Sequence, residues 1–188
     1  MHKNMGNIKA IIFDCFGVIY VDATKAYFSR FPEKYEELHN LDQLSDHGLI
    51  DRRSYTQAVS ELTSEPIEKV EEEFQKEHVL NKPLIDLIHR MKPHYKIGLL
   101  SNIGRDWLQD FFNEYQLRDL FNAVVLSSEE GIAKPNPIIF ERAADRLGVN
   151  PSQCLFIDDL PENCAGAEAV GMKTILFKDN HSVEGLLQ

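Results

Sequence analysis

Cysteine is scarce in this sequence. The three residues, Cys15, Cys154 and Cys164, are odd in number and show no close pairing pattern, which makes a poor disulfide framework. No CxxC pair offers a structural zinc site. Long apolar runs are missing as well. The N-terminal run, Ile8 to Phe13, is ended by Asp14 and is too short for a signal peptide or a membrane helix, so a cytoplasmic protein is expected. Positive charge is short: 20 Lys and Arg stand against 30 Asp and Glu, a formal net charge of −10. Such a surface repels nucleic-acid backbones and anionic lipid, and neither is expected as a partner. Any phosphate site must therefore be made locally positive by a metal, a lysine or backbone N–H groups. Internal repeats and low-complexity tracts are also lacking.

What is present is enough chain for one core domain with a modest insertion. The 188 residues are 43% hydrophobic and 27% charged, the balance of a globular fold with its own core. Five short apolar runs read as strands buried on both faces: Ile8 to Phe13, Lys96 to Leu100, Ala123 to Leu126, Cys154 to Ile157 and Lys173 to Phe177. Helical patterns separate the later ones. Gly104 to Leu117 carries Trp107, Leu108, Phe111, Phe112 and Tyr115 at helical spacing. Asn136-Pro137 opens a helix that Gly148 stops, and Gly171 ends a shorter one containing Ala165 and Ala169. This alternation predicts an α/β fold, a Rossmann-like open parallel sheet flanked by helices.

Residues 21–81 differ. They hold no strand-like run of comparable quality. Asp51 can cap a helix through Leu62, Ser64 and Pro66 can start another to about Lys76, and Leu38, Leu41, Leu44 and Leu49 supply apolar spacing. The expected organisation is a core of residues 1–20 and 82–188 with a small helical cap subdomain at 21–81. The helix from Lys82 to Met91 returns the chain to the sheet.

Ligands of open α/β sheets sit beyond the C-terminal strand ends. Asp14, Ser101-Asn102 and Asp158-Asp159 all fall there, and Lys134 follows the third strand. Singly, each has a bland reading: a helix cap, a loop, a Lys-Pro dipeptide. Together, in this order, they make a site. They also resemble a known family. Phe13-Asp14-Cys15-Phe16-Gly17-Val18, Leu99-Leu100-Ser101-Asn102, Gly131-Ile132-Ala133-Lys134-Pro135-Asn136-Pro137 and Phe156-Ile157-Asp158-Asp159-Leu160-Pro161-Glu162-Asn163 resemble the four motifs of haloacid dehalogenase-like hydrolases. The resemblance covers about residues 8 to 20 and 82 to 180, and the family inserts a cap after its first motif.

The resemblance implies a phosphatase acting on a small phosphorylated metabolite, sugar phosphates among the candidates. Asp14 would be the nucleophile and form an acyl-phosphate. Ser101 and Asn102 would bind the phosphoryl group, and Lys134 would neutralise it and orient Asp14. Asp14, the backbone carbonyl of Phe16, Asp158 and Asp159 would hold Mg²⁺. Of these Asp159 is the firmer ligand and Asp158 the indirect one, with Asn163 at the motif's later position. Three crowded carboxylates require a cation, and hard oxygens favour magnesium.

The sequence departs from the family at Phe16, where many of its phosphatases carry a second Asp that protonates the leaving group. That keeps two alternatives in view. A 2-haloacid dehalogenase needs no acid, but that branch usually replaces the acidic pair of the fourth motif with Ser and Asn. A decayed enzyme that only binds phosphate ligands is the other. Asp22 is a candidate substitute acid. Cys15 reads as a small buried hydrophobe, Trp107 as helix core, Asp46 and His47 as solvated cap surface, and Glu71-Glu72-Glu73 as a solvated helix face.

Overall fold

The computed structural model describes residues 6–21, 23–76, 79–107 and 117–187. Five strands form one parallel sheet: β1 (Ala10–Phe13), β2 (Lys96–Ser101), β3 (Ala123–Leu126), β4 (Cys154–Asp158) and β5 (Lys173–Leu176). Their order is β3-β2-β1-β4-β5. Strand β1 is central, with Phe13 opposite both Leu99 of β2 and Ile157 of β4. The chain leaves β1 toward one edge and later returns to its other side. This reversal in strand order opens the crevice at the C-terminal end of β1.

Side chains of a strand alternate between faces, and both faces are buried, which is why the strands read as unbroken apolar runs. Ile11 and Phe13 join Leu99, Leu155 and Ile157 in one core, against Leu84 and Ile88 of α5 (Lys82–Met91). Ala10 and Ile12 face the other way with Leu100 and Phe156. They pack on Phe140, Ala143 and Leu147 of α6 (Pro137–Leu147) and Ala167 of α7 (Pro161–Ala169). Helix α6 begins where Asn136 accepts from the Ile138 N–H (3.1 Å) and ends at Gly148 in the left-handed region.

Between β1 and α5 the chain is helical: α1 (Ala23–Phe28), α2 (Tyr35–Asp46), α3 (Arg52–Thr63) and α4 (Ile67–Lys76). Asp51 caps α3 by accepting from the Ser54 N–H (2.7 Å). Leu38 of α2 is buried, but Leu44 and Leu49 are largely exposed, so the leucine spacing marks only part of an inner face. Arg30 bridges Glu65 and Glu73 (2.9 Å each) and lies 5.0 Å over the Tyr27 ring. Glu73 is thus tied into the insertion, where the Glu71-Glu72-Glu73 run suggested only a solvated face.

The insertion packs onto the core through close approaches of backbone and side chains. Ser45 lies against Gly104, where any Cβ would collide with its hydroxyl. Trp107 packs edge-on to Tyr55 (6.0 Å) and Phe74 (5.8 Å), with the Arg52 guanidinium 4.2 Å above it. The helix anticipated from Gly104 to Leu117 lies mostly outside the described residues; Arg105 to Trp107 form a turn. No described helix is long and apolar enough to cross a membrane.

Candidate active site

Asp14 follows the last residue of β1, and its N–H extends the ladder by donating to the Ile157 carbonyl (2.9 Å). Asp158 ends β4 and Asp159 follows it. Parallel neighbours in register bring all three carboxylates to one sheet edge, each offering an oxygen within 4.8 Å of the others. Lys134, between β3 and α6, reaches into the cluster. Its Nζ donates to Asp14 Oδ1 (2.6 Å) and Asp158 Oδ2 (2.8 Å), and its side chain is 1% exposed.

Asn102 sets Lys134 in place. Its amide Nδ2 donates to the Lys134 carbonyl (3.0 Å) while its Oδ1 accepts from the Lys134 N–H (2.8 Å). Ser101 is fully buried at the end of β2, with a long bond (3.4 Å) from its hydroxyl to the Asn102 carbonyl. Asn102 lines the cavity above the sheet and Ser101 lies behind the lining.

The two aspartates of the last motif are treated differently. Asp158 is fully buried. Its carboxylate accepts from Lys134, from the Leu160 N–H (2.9 Å) and twice from Asn163 Nδ2 (3.0 and 3.1 Å). Asp159 Oδ1 is buried with no hydrogen-bond partner, whereas its Oδ2 accepts from Lys25 Nζ (3.0 Å). The carboxylate lies over Gly17. There φ is +89°, and an added Cβ would stand 2.5 Å from Asp159 Cγ, so only glycine allows this approach.

Burial pushes the Asp14 carboxyl up to about 7 against the pull of Lys134, and the charge of Asp158 adds to the rise. Burial draws Lys134 down, but Asp14 and Asp158 outweigh it and hold the ammonium above its ordinary range. A buried carboxyl raised this far, beside an orphaned carboxylate oxygen, is short of positive charge. The donor set is all hard oxygen, and it fits a divalent cation of the magnesium type.

Above the cluster lies a cavity of about 810 Å³. Its floor includes Asp14, Phe16, Asn102, Lys134 and Asp159, and its roof carries Lys25, His39, Asp42, Asp46 and His47 from the insertion. Asp46 and His47 thus border the cavity rather than only the outer surface of the insertion, with His47 still exposed. Phe16 brings a phenyl ring, not an acid, to the floor, and Asp22 lies outside the described residues. Cys15 is fully buried; burial, then the Asp14 charge, pushes its thiol well up, so it is inert.

The model of the haloacid dehalogenase-like hydrolase family matches residues 8–171. The chain belongs to that family. Its relatives include glyceraldehyde 3-phosphate phosphatase of Pyrococcus furiosus, 34% identical over 95 residues, covering 49% of this chain and 39% of that protein. They also include (S)-2-haloacid dehalogenase 4A of Burkholderia cepacia, 31% identical over 81 residues, covering 43% and 35%. The chain spans less than half the length of these relatives. Among solved structures, the family enzyme BT-2542 of Bacteroides thetaiotaomicron, crystallised with magnesium and inorganic phosphate, shares the fold. The TM-score is 0.80 at 24% identity, over 96% of this chain and all of that one.

Lys25 and Gly17 escaped the motif reading as site residues. Gly17 stood within the first motif, and its role is visible only once Asp159 lies over it. Lys25 had no signal: it is one lysine in a six-residue helix that follows the first motif but belongs to none of the four.

Proposed function

We propose that this hydrolase is a magnesium-dependent phosphatase that cleaves a small phosphate monoester through an aspartyl-phosphate on Asp14. One observation carries the reading. Lys134 satisfies Asp14 and Asp158, yet Asp159 keeps a buried oxygen without a partner, beside two more carboxylates. A dehalogenase has no use for that third carboxylate. Asp14, Asp159 and the Phe16 carbonyl would hold the ion directly, with Asp158 acting from behind because its oxygens are already taken by Lys134, Asn163 and Leu160. When bound, the ion would neutralise charge on the phosphoryl oxygens. Magnesium and phosphate in the related Bacteroides enzyme support the same chemistry.

The chain's own residues set the attack. Lys134 and the Cys15 N–H both donate to Asp14 Oδ1 (2.6 and 2.7 Å), which leaves Oδ2 as the attacking atom. Its lone pair forms the bond to phosphorus as the bond to the leaving oxygen breaks. A water then attacks phosphorus and releases inorganic phosphate and the Asp14 carboxylate. Asn102 contributes by fixing Lys134. The Ser101 hydroxyl, fully buried behind the cavity lining and 3.4 Å from the Asn102 carbonyl, would support the turn that carries Asn102 rather than bind the phosphoryl group. Catalysis is then positioning plus charge stabilisation. The insertion serves as a cap over the strand ends, excluding water and choosing the leaving group. Its carboxylates Asp42 and Asp46, with His39 and His47, suit a hydroxylated leaving group such as a sugar and disfavour an anionic one.

The test is phosphate release from a panel of monoesters, with and without chelator, in wild type and Asp14→Asn. Chelator should abolish turnover, and Asp14→Asn should lower it on the order of 10⁴-fold or more with the fold retained. Full turnover in excess chelator would sink the reading. Phe16 favours one other reaction, halide displacement from a 2-haloacid, because halide leaves without a proton. Halide release from 2-chloropropionate, unaffected by chelator, would decide for it.

A further inference from the structure

We propose that Lys25 competes with the metal for Asp159, tying the first helix of the insertion to the core until the metal arrives. The inference rests on the metal site proposed above. Lys25 sits in α1, and its Nζ donates to Asp159 Oδ2 at 3.0 Å. Its side chain is 55% exposed, so burial does not hold it there. Charge does. Lys134 is engaged by Asp14 and Asp158, which leaves Asp159 as the carboxylate of the cluster without an internal cation.

The geometry puts both cations on one carboxylate. The oxygen that remains without a partner, Asp159 Oδ1, belongs to the same group that Lys25 holds by Oδ2. Gly17 lets that group approach closely: an added Cβ there would stand 2.5 to 2.6 Å from Cγ and both oxygens. A cation arriving at Oδ1 therefore meets an ammonium one carboxylate away. Two lysines against three carboxylates leave the cluster one negative charge; a divalent ion in place of Lys25 brings it to neutrality, and both together overshoot. Repulsion at such separations is substantial even in a solvated cleft. The metal carries the larger charge and takes a carboxylate the lysine holds only by an exposed pair, so the lysine leaves. Departure of Lys25 unties α1 from the sheet edge, and the cavity that Lys25 shares with Asp14 and Phe16 becomes easier to open for substrate.

Calorimetric titration of the metal-free full chain with magnesium chloride, in the absence of substrate, tests this. Wild type is compared with Lys25→Met and Lys25→Gln, and with Lys9→Met, which removes a cation at the opposite end of β1. Exposed ion pairs are worth little, so the two Lys25 variants should bind magnesium roughly two- to fivefold more tightly than wild type, with Lys9→Met unchanged. Hydrogen exchange over residues 23–28 is read in parallel. Magnesium should speed it in wild type and leave it unaltered in Lys25→Met. Equal or weaker binding by both Lys25 variants, equal tightening by Lys9→Met, or exchange in wild type indifferent to magnesium would each overturn the competition. Failure of wild type to bind magnesium at all would remove the phosphatase reading itself, and this inference with it. Normal wild-type binding with unchanged Lys25 variants overturns only the inference.

Discussion

Asp158 and Asp159 are neighbours in the chain and live in opposite surroundings. Asp158 belongs to β4 and points into the buried edge, where Lys134, Asn163 and the Leu160 N–H saturate it. Asp159 is one residue on, faces the cavity and keeps an oxygen unpaired. The alternation of side chains along a strand explains the difference: one carboxylate fixes the lysine, and the other is left for the proposed cation. On the proposed phosphatase mechanism, Phe16, two residues past Asp14, leaves the leaving group without the acid that many family phosphatases carry there. General acid assistance contributes about 10²–10⁴-fold. Turnover in wild type should therefore depend steeply on the leaving group, with aryl and sugar anomeric phosphates cleaved faster than glycerol phosphate. Phe16→Asp should raise rates most for the poorest leaving groups, since the substitution keeps the backbone carbonyl. Rates across a leaving-group series for both proteins check this; a flat wild-type dependence would mean that another cavity residue already supplies the proton.

At the scale of elements, Asn81 is the joint between insertion and sheet. It caps α5 by accepting from the Leu84 N–H (3.3 Å), donates to the Val18 carbonyl (3.1 Å) and exchanges amide bonds with Asn180 (2.9 and 3.0 Å). One side chain thus fastens the loop after β1, the start of α5 and the C-terminal segment. Asn81→Ala removes a cap and strands the Asn180 amide. It should cost about 1–2 kcal/mol in urea unfolding. Asn81→Asp keeps the cap but loses both donated bonds, so it should recover only part of that loss. Caps of this kind are legible in sequence: Asp51, Asn136 and Gly148 all act where local pattern placed them. The tie to Asn180, 99 residues away, is not legible, because nothing local encodes it.

Across the molecule, insertion and core meet through aromatic packing around Trp107. Its indole fills the space between Tyr55 and Phe74 of the insertion and is 8% exposed. Trp107→Ala should destabilise the protein by about 3 kcal/mol. By loosening the roof of the cavity it should also raise KM more than it lowers kcat. Thermal unfolding with steady-state kinetics on one good monoester checks both; an unchanged KM would mean that the roof does not depend on this contact.

Local sequence pattern was enough for the five strands, their polar C-terminal ends and the helical character of the insertion. Those signals are local. A strand buried on both faces must be apolar throughout, and a helix must be capped by the residue at its end. The same locality made Asp14, Lys134 and Asp158-Asp159 stand out as members of one constellation. What each member touches came from the packing of distant segments. That packing spent Asn102 on the backbone of Lys134, put Ser101 behind the cavity wall, and set Asp42, Asp46, His39 and His47 over the strand ends. It also brought Lys25 to Asp159 across 134 residues of chain. Contacts of that range depend on how an insertion docks on a sheet, through surfaces such as Ser45 on Gly104. Shape and charge meet there only after the chain has folded, and neither composition nor spacing carries them.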